Sequence, residues 1–273
     1  MNNFLQRTLS GFFFVLIIVG SILLSSWTFA GVFTLIAAWA VAEFHKLTNQ
    51  QAGVNVLTFS GIIGAAILFI TSFLYSSGII QYPAYSVYGI FIVLVLVAEL
   101  FRKQENPIHN WAYFLAGQIM VALPFSLLNY IFFINPDSAE GSPLILIAVF
   151  VTVWVNDTGA YLFGMTLGKH RMFERISPKK TWEGFAGGAL TALASGYVFS
   201  LIIPEISLLN WLIFSEIIVI FGTLGDLLES QMKRTVHVKD SGDVIPGHGG
   251  LLDRFDSMLL VAPAIFIYLS FIF

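Results

Sequence analysis

The longest polar interval in this chain contains most of the residue types that bind phosphate and metal ions. It runs from Ser230 to Asp256, is called the polar stretch below, and has the sequence SQMKRTVHVKDSGDVIPGHGGLLDRFD. Asp226 and Glu229 precede it directly. Carboxylate oxygens suit a hard divalent cation such as Mg²⁺, and a glycine-rich backbone lets N–H groups approach an anion closely. The interval therefore predicts a site for a metal ion together with phosphate.

Three aspartates are the predicted metal ligands. Asp253 and Asp256 are three residues apart at the expected start of the last helix, which would point them the same way, and Asp226 could converge with them. One Mg²⁺ is expected, and a second cation is left open. The chain has no cysteine and no paired histidines at ligand spacing, which disfavours zinc. The glycine-rich run at 247–250 would lead into the last helix, whose N-terminus favours phosphate.

Composition places this polar stretch in a membrane protein. The chain has 273 residues, of which 57% are hydrophobic and only 11% are charged, whereas soluble domains carry about 25% charged residues. Apolar runs recur from end to end, which predicts a single domain over 1–273. We expect no cleavable signal peptide, because the first apolar run is followed directly by another.

The apolar runs predict an all-α, polytopic fold with about nine transmembrane helices. A span needs roughly 20 apolar residues, and backbone groups inside lipid must pair within a helix. The candidate spans are 9–25, 28–44, 54–76, 85–101, 112–134, 143–163, 183–203, 208–228 and 257–272. We expect 1–142 to form a lipid-embedded scaffold and 143–273 to carry the catalytic helices and loops.

The Lys and Arg residues predict the orientation. Arg7 precedes the first span, and the other cations follow the second, fourth, sixth and eighth spans, so all fall on one side. The positive-inside rule puts that side in the cytoplasm. The N-terminus and the candidate active site are therefore expected to be cytoplasmic, and the C-terminus extracytoplasmic. The loops at 164–182 and 229–257 are expected on the same face.

Polar residues outside the polar stretch divide into three groups. Asp157, beside Asn156, is an intramembrane acid and hence a functional candidate, with a helix-packing hydrogen bond as the alternative. Lys180 belongs to a basic loop, SPKKTWEG, whose lysines could meet phosphate or simply mark the cytoplasmic side. Glu43 and Glu99 lie near cytoplasmic helix ends, where interfacial side chains are ordinary. A supporting role at the site is the alternative for both.

The polar stretch resembles the signature of the phosphatidate cytidylyltransferases, also called CDP-diacylglycerol synthases. The pattern is S-x-x-K-R-x₄-K-D-x-G-x₂-I-P-x-H-G-G-x₂-D-R-x-D, and every fixed position is present. The segments NDTGAYLFG, SPKKTWEG and GDLLES also resemble the bacterial members. The resemblance is specific over roughly residues 150–260.

The resemblance implies a reaction in which CTP and phosphatidate give CDP-diacylglycerol and pyrophosphate, dependent on Mg²⁺, at the inner (plasma) membrane. The implied catalytic residues are Asp226, Lys233, Arg234, Lys239, Asp240, His248, Asp253, Arg254 and Asp256. The implied substrate-binding residues are Asn156, Asp157, Ser177, Lys179, Lys180, Ser230, Gly249 and Gly250. The implied partners are CTP, phosphatidate and membrane lipid, without nucleic acid. Whether the chain forms a homodimer is left open.

Two other functions are compatible with these residues. A CTP-dependent polyprenol or dolichol-type lipid kinase would transfer the γ-phosphoryl group and release CDP, so the released product distinguishes it. An ion-coupled transporter would use Asp157, Glu216 and Asp226 as an intramembrane relay. That alternative leaves the dense polar stretch unexplained.

Overall fold

The fold is built almost entirely from apolar helices. The computed structural model describes residues 3–80, 84–135, 141–238, 240–242 and 249–273. In these ranges nine long helices occur: α1 Asn3–Leu24, α2 Ser26–Thr48, α3 Thr58–Ser76, α4 Ala84–Leu100, α5 Pro107–Phe132, α6 Pro143–Leu167, α7 Trp182–Ile202, α8 Leu208–Thr235 and α9 Met258–Leu269. A short π-helical segment, Gly117–Ala122, lies within α5. Each helix corresponds to one predicted span.

Local sequence determines where several helices begin. Ser25 caps α2 and forms a reciprocal pair of hydrogen bonds with Thr28, which satisfies backbone N–H groups that the first turn leaves free. Prolines open α5 and α6 at positions where no N–H is needed. Thr181 accepts a hydrogen bond from the Gly184 N–H at the start of α7. These caps allow α1 and α2 to form a tight hairpin and set the point at which α7 leaves the basic loop.

The described helices divide into two classes by length. Six are long and apolar enough to cross a membrane: α2, α3, α5, α6, α7 and α8. The apolar segments Thr8–Leu24, Ala84–Leu100 and Met258–Leu269 are shorter. At 1.5 Å per residue the last of these is roughly 18 Å long, less than the ~30 Å hydrocarbon core. The chain is therefore a polytopic membrane protein, and the number of nine full spans stays a prediction.

The fold differs from the all-α prediction in the basic loop after α6. Strands β1 (Arg171–Phe173) and β2 (Ser177–Thr181) pair antiparallel there, with Arg171 opposite Thr181 and Phe173 opposite Ser177. The residue before a proline is restricted to extended conformations, and Ser177 precedes Pro178. Pro178 thus favours an extended chain here, and the loop forms a small hairpin.

The start of the last helix also differs from the prediction. Leu252–Arg254 forms a 3₁₀ turn and α9 begins only at Met258. The Phe255 ring, 1% exposed, explains this break, because it is buried among aromatic rings of α1, α2, α5 and α6. The expectation that Asp253 and Asp256 point the same way from one helix is therefore wrong. The glycine-rich run likewise does not lead directly into α9.

Core packing joins the two predicted parts of the chain. Phe14, Phe33 and Phe125 belong to the proposed scaffold, yet all three rings pack against Phe255 of the polar stretch. Their ring centroids lie 5.5, 6.5 and 5.3 Å from that of Phe255. The first half of the chain therefore fixes the position of the residues on either side of Phe255.

Candidate active site

Three carboxylates from separate elements meet at one place and are called the carboxylate cluster below: Asp157 of α6, Asp226 of α8, and Asp256, which precedes α9. Asp256 interacts electrostatically with both of the others. Helix α8 and the segment before α9 approach closely, since a Cβ atom at Gly225 of α8 would lie 2.6 Å from the Asp256 carbonyl oxygen. The Asp256 Oδ1 also accepts the Ser257 N–H at 2.6 Å. These contacts hold its carboxylate beside the other two.

Lys180 supplies a positive charge to the carboxylate cluster. Its Nζ lies 2.7 Å from Asp226 Oδ2 and donates to the Thr223 carbonyl at 3.4 Å. The Ser230 hydroxyl donates to Asp226 Oδ1 at 3.2 Å. Because Lys180 is on β2 and Asp226 is on α8, this contact holds the basic loop after α6 against α8.

The hairpin that carries Lys180 is held at both ends. Thr181 ends β2 and caps α7. The Glu183 carboxylate accepts the Lys169 N–H at 3.1 Å and the His170 N–H at 3.2 Å. Glu183 also pairs with the His170 ring. The position of Lys180 is therefore determined by contacts from β2 and from the first turn of α7.

Two cavities adjoin the carboxylate cluster. The larger, about 510 Å³, lies against β2, α6 and α7; the smaller, about 310 Å³, lies against α1. Both are lined by Asp157, Asp226 and Ser257. The larger cavity adds Arg171, Lys179 and Lys180, and the smaller adds Phe14, Val15, Trp154, Asp253, Arg254 and Asp256. Both cavities therefore combine charged with apolar side chains; the larger holds three basic residues, and the smaller holds Arg254 and four aspartates.

A second charged group lies beside the carboxylate cluster. Lys233 Nζ contacts Asp253 Oδ1 at 2.6 Å and forms an ion pair with Glu229, one helical turn before it on α8. Asp253 Oδ2 accepts N–H groups of Ser241 at 2.9 Å and Gly250 at 2.8 Å. Asp253 therefore faces protein donors, whereas Asp256 faces the other two aspartates.

The electrostatics of the two aspartates differ accordingly. Burial raises the pKa of Asp256, and the neighbouring Asp226 and Asp157 carboxylates raise it further. With all its neighbours included, this pKa is about 7. Burial would also raise the pKa of Asp253, but the hydrogen bonds it accepts, that from Lys233 foremost, hold it below its usual value. Crowded carboxylates repel one another, so the carboxylate cluster favours a cation between its members.

The donor set fits a magnesium ion. Among the described residues, no group of three or more His, Cys, Asp or Glu side chains is arranged to hold a metal by itself. Mg²⁺ does not need such a group, because it is commonly bound by one or two carboxylates together with waters and substrate phosphates. Asp226 and Asp256 offer that pair of oxygen donors.

The remaining predicted residues are spread over several places. Asn156 donates to Asp157 Oδ1 at 3.3 Å and lines the larger cavity with Lys179. Ser177 begins β2 but does not line either cavity. Arg234 and Asp240 are exposed, and Arg234 donates to the Val238 carbonyl. Lys239 and His248 lie outside the described residues. Gly249 and Gly250 adjoin Asp253, and Arg254 lines the smaller cavity.

Sequence reasoning did not single out Glu183 of α7. For Glu43 of α2 it left two roles open, an ordinary interfacial one and a supporting one at the site. Glu43 is 4% exposed and hydrogen-bonds with the polar stretch. The available signal was an acid near the end of an otherwise apolar span, where burial is costly without partners. Asp157 was singled out, but as a substrate contact and not as a neighbour of the metal ligands.

The fold and site define a polytopic membrane protein with basic side chains beside a carboxylate cluster, and comparison with known proteins names its family. The model of the cytidylyltransferase family matches residues 5–272, so the chain belongs to this family of nucleotidyltransferases. A phosphatidate cytidylyltransferase of Bacillus subtilis is 34% identical over 99% of both chains. One from Staphylococcus epidermidis is 35% identical over 84% of this chain and 86% of its own.

Proposed function

We propose that this cytidylyltransferase joins the cytidylyl group of CTP to phosphatidate, giving CDP-diacylglycerol and pyrophosphate for phospholipid biosynthesis. One observation carries the proposal: the Lys180–Asp226 ion pair, flanked by Asp157 and Asp256, lies where two cavities meet, one with three basic side chains and the other with Arg254 beside Phe14 and Val15. A nucleoside triphosphate needs several cations, and a lipid phosphate needs a cation beside an apolar surface. The names of the curated relatives support the same pair of substrates.

Different basic side chains of the site would bind the phosphates of the two substrates. Arg171, Lys179 and Lys180 line the larger cavity, where they would offset the charge of the CTP phosphates. Arg254 lines the smaller cavity with Phe14, where it would meet the phosphatidate phosphate below the acyl chains. Lys239 and His248 stay predicted contributors from the polar stretch.

Asp226 and Asp256 would hold Mg²⁺, with Asp157 beside them. When bound, the ion would stabilise the negative charge that develops during transfer. Asp253 stays a predicted ligand for this or a second cation.

The transfer needs no covalent enzyme intermediate. An oxygen of the phosphatidate phosphate attacks the α-phosphorus of CTP and forms a new P–O bond. The bond from that phosphorus to the α,β-bridging oxygen breaks, and pyrophosphate leaves with the electron pair. Catalysis of this kind depends on positioning and on charge stabilisation, which the basic side chains and the carboxylate cluster would provide.

A product assay tests the proposal directly. Purified protein in detergent should convert phosphatidate and CTP, with Mg²⁺, into a CDP-lipid and an equal amount of pyrophosphate, and EDTA should stop both. Polyprenol and dolichol serve as alternative acceptors. CDP released together with a phosphorylated alcohol would replace the proposal with a lipid kinase. No consumption of nucleotide with any acceptor would contradict both.

The distribution of cations supports a cytoplasmic site, nine spans and an extracytoplasmic C-terminus. A reporter that functions only in the cytoplasm should therefore be active at the N-terminus and inactive at the C-terminus. The N-terminal fusion is the control for expression and insertion. Activity at both ends would mean an even number of spans and would remove one of the three shorter apolar helices from the count. A homodimer also stays a prediction, which the molecular mass in detergent tests.

A further inference from the structure

Glu43 connects the first half of the chain to the polar stretch through a buried carboxyl group. Its Oε1 accepts the Leu251 N–H at 3.0 Å and the Trp39 indole N–H at 3.2 Å. Its Oε2 accepts the Leu252 N–H at 2.7 Å and the Ser241 hydroxyl at 3.2 Å. Each oxygen thus has two donors, and three of the four donors belong to the polar stretch.

Two glycines allow the backbone to approach this carboxyl group. A Cβ atom at Gly242 would lie 2.7 Å from Glu43 Oε1, and one at Gly250 would lie 2.6 Å from Glu43 Oε2. Both distances are below any normal contact of a Cβ atom. The glycines of the polar stretch therefore serve, at these two positions, to admit a side chain of the protein itself.

Asp253 ties the same two segments together from within the polar stretch. Its Oδ2 accepts the N–H groups of Ser241 and Gly250, while Glu43 accepts the Ser241 hydroxyl and the N–H groups that follow Gly250. Two carboxyl groups therefore hold residues 241–242 against residues 249–252. The chain then continues through the 3₁₀ turn and buried Phe255 to Asp256.

We propose that Glu43 is a positioning residue for cytidylyl transfer, which acts by fixing segment 249–252 and, through it, Asp256 in the carboxylate cluster. This inference rests on the proposed function. Glu43 contributes to neither of the two cavities beside the cluster, so it is not assigned a contact with substrate. Its effect should be on the reactive geometry more than on substrate binding, because small misplacements of catalytic groups can cost about 10²-fold in rate.

Glu99 provides a matched control for the experiment. It is also buried, at 6% exposure, near the end of a first-half helix. Its carboxyl oxygens accept hydrogen bonds from Asn110 at 2.6 Å and Arg102 at 2.6 Å, neither of which belongs to the polar stretch. A Glu→Gln change at either position keeps the shape and replaces one acceptor oxygen with an NH₂ donor, which would face existing donors.

The experiment compares Glu43→Gln with Glu99→Gln in detergent-purified protein by two readouts. Hydrogen exchange, which needs no substrate, should show faster exchange of the Leu251 and Leu252 amides in Glu43→Gln only. Steady-state kinetics should show kcat reduced about 30-fold in Glu43→Gln, with KM for phosphatidate within about threefold of the parent. Glu99→Gln should keep the parent kcat.

Each result supports or overturns the inference. Parent-like exchange at Leu251 and Leu252 in Glu43→Gln would mean that Glu43 does not fix segment 249–252, and it would overturn the inference whatever the activity. Faster exchange with an unchanged kcat would overturn its role in catalysis, as would an equal loss of kcat in Glu99→Gln. If Glu43→Gln does not fold, Glu43→Asp replaces it, because it keeps both oxygens but withdraws them by one methylene. A parent-like kcat in that variant would also overturn the inference. An inactive parent enzyme would count against the proposed function. The hydrogen-exchange experiment would still test whether Glu43 fixes segment 249–252, because it needs no substrate.

Discussion

Replacing Asp256 with asparagine should reduce cytidylyl transfer by about 10³-fold while making the metal-free protein more resistant to heat. A metal ion supplies several kcal/mol of charge stabilisation in phosphoryl transfer, and about 4 kcal/mol corresponds to that factor. The stability effect has the opposite sign because Asp256 lies beside Asp226 and Asp157, and its ionised form is disfavoured there. Removing one of three crowded charges relieves the repulsion.

The measurement combines the product assay with thermal unfolding, each with and without Mg²⁺. Mg²⁺ should raise the midpoint of the parent protein by binding the folded state and should raise that of Asp256→Asn much less. Glu174→Gln is the control, since Glu174 is an exposed carboxylate in the hairpin and should change neither property. Near-parent activity in Asp256→Asn, or an undiminished shift with Mg²⁺, would remove Asp256 from the proposed ligands.

This combination of outcomes separates a functional aspartate from a structural one. A structural aspartate, when replaced, lowers the unfolding midpoint and the activity together. Replacing a ligand held among like charges lowers the activity but raises the unfolding midpoint of the metal-free protein. The reason is that the carboxylates repel one another when no cation is bound. The crowding of Asp157, Asp226 and Asp256 is therefore an argument for cation binding that is independent of the family.

The helices were predictable because lipid leaves the backbone few choices. Within the hydrocarbon core an unpaired N–H or C=O is so costly that an apolar run of sufficient length must be helical. The predicted span at 208–228 shows the limit of this argument, since α8 continues to Thr235. The polar residues in its last two turns are compatible with either a helix or a loop. The hydropathy pattern therefore does not predict where α8 ends.

The contacts of the site were less predictable because they depend on residues far apart in the chain. Asp226 and Lys180 were both singled out, but their ion pair requires β2 to lie against α8. Glu43 and Leu252 are separated by 209 positions, so no local pattern connects them. The break between Asp253 and α9 follows from the burial of Phe255 among four helices. In this case tertiary packing overrides the spacing of two aspartates.

Replacing Lys233 with methionine should reduce both the thermal stability and the activity, the latter by more than about 10²-fold. The resemblance implies a catalytic role for Lys233, and in the structure its Nζ contacts Glu229 and Asp253. Glu229 is 0% exposed, so the substitution leaves a buried carboxyl without its partner. Breaking a buried ion pair in this way typically destabilises by about 3–5 kcal/mol. Asp253 would at the same time lose a donor that holds it beside Ser241 and Gly250.

A second substitution distinguishes the two roles of Lys233. If the lysine serves the carboxyl groups, Lys233→Met combined with Glu229→Gln should recover much of the lost unfolding midpoint, because the orphaned acid is gone. If it serves substrate phosphate, Lys233→Met should keep the parent midpoint and raise KM, and the second change should recover nothing. Lys46→Met, at an exposed lysine near the end of α2, controls for loss of a positive charge. Partial return of kcat in the double variant would show that the unpaired Glu229, and not the lost Lys233–Asp253 contact alone, lowers the activity, since Asp253 retains its two backbone donors in both variants.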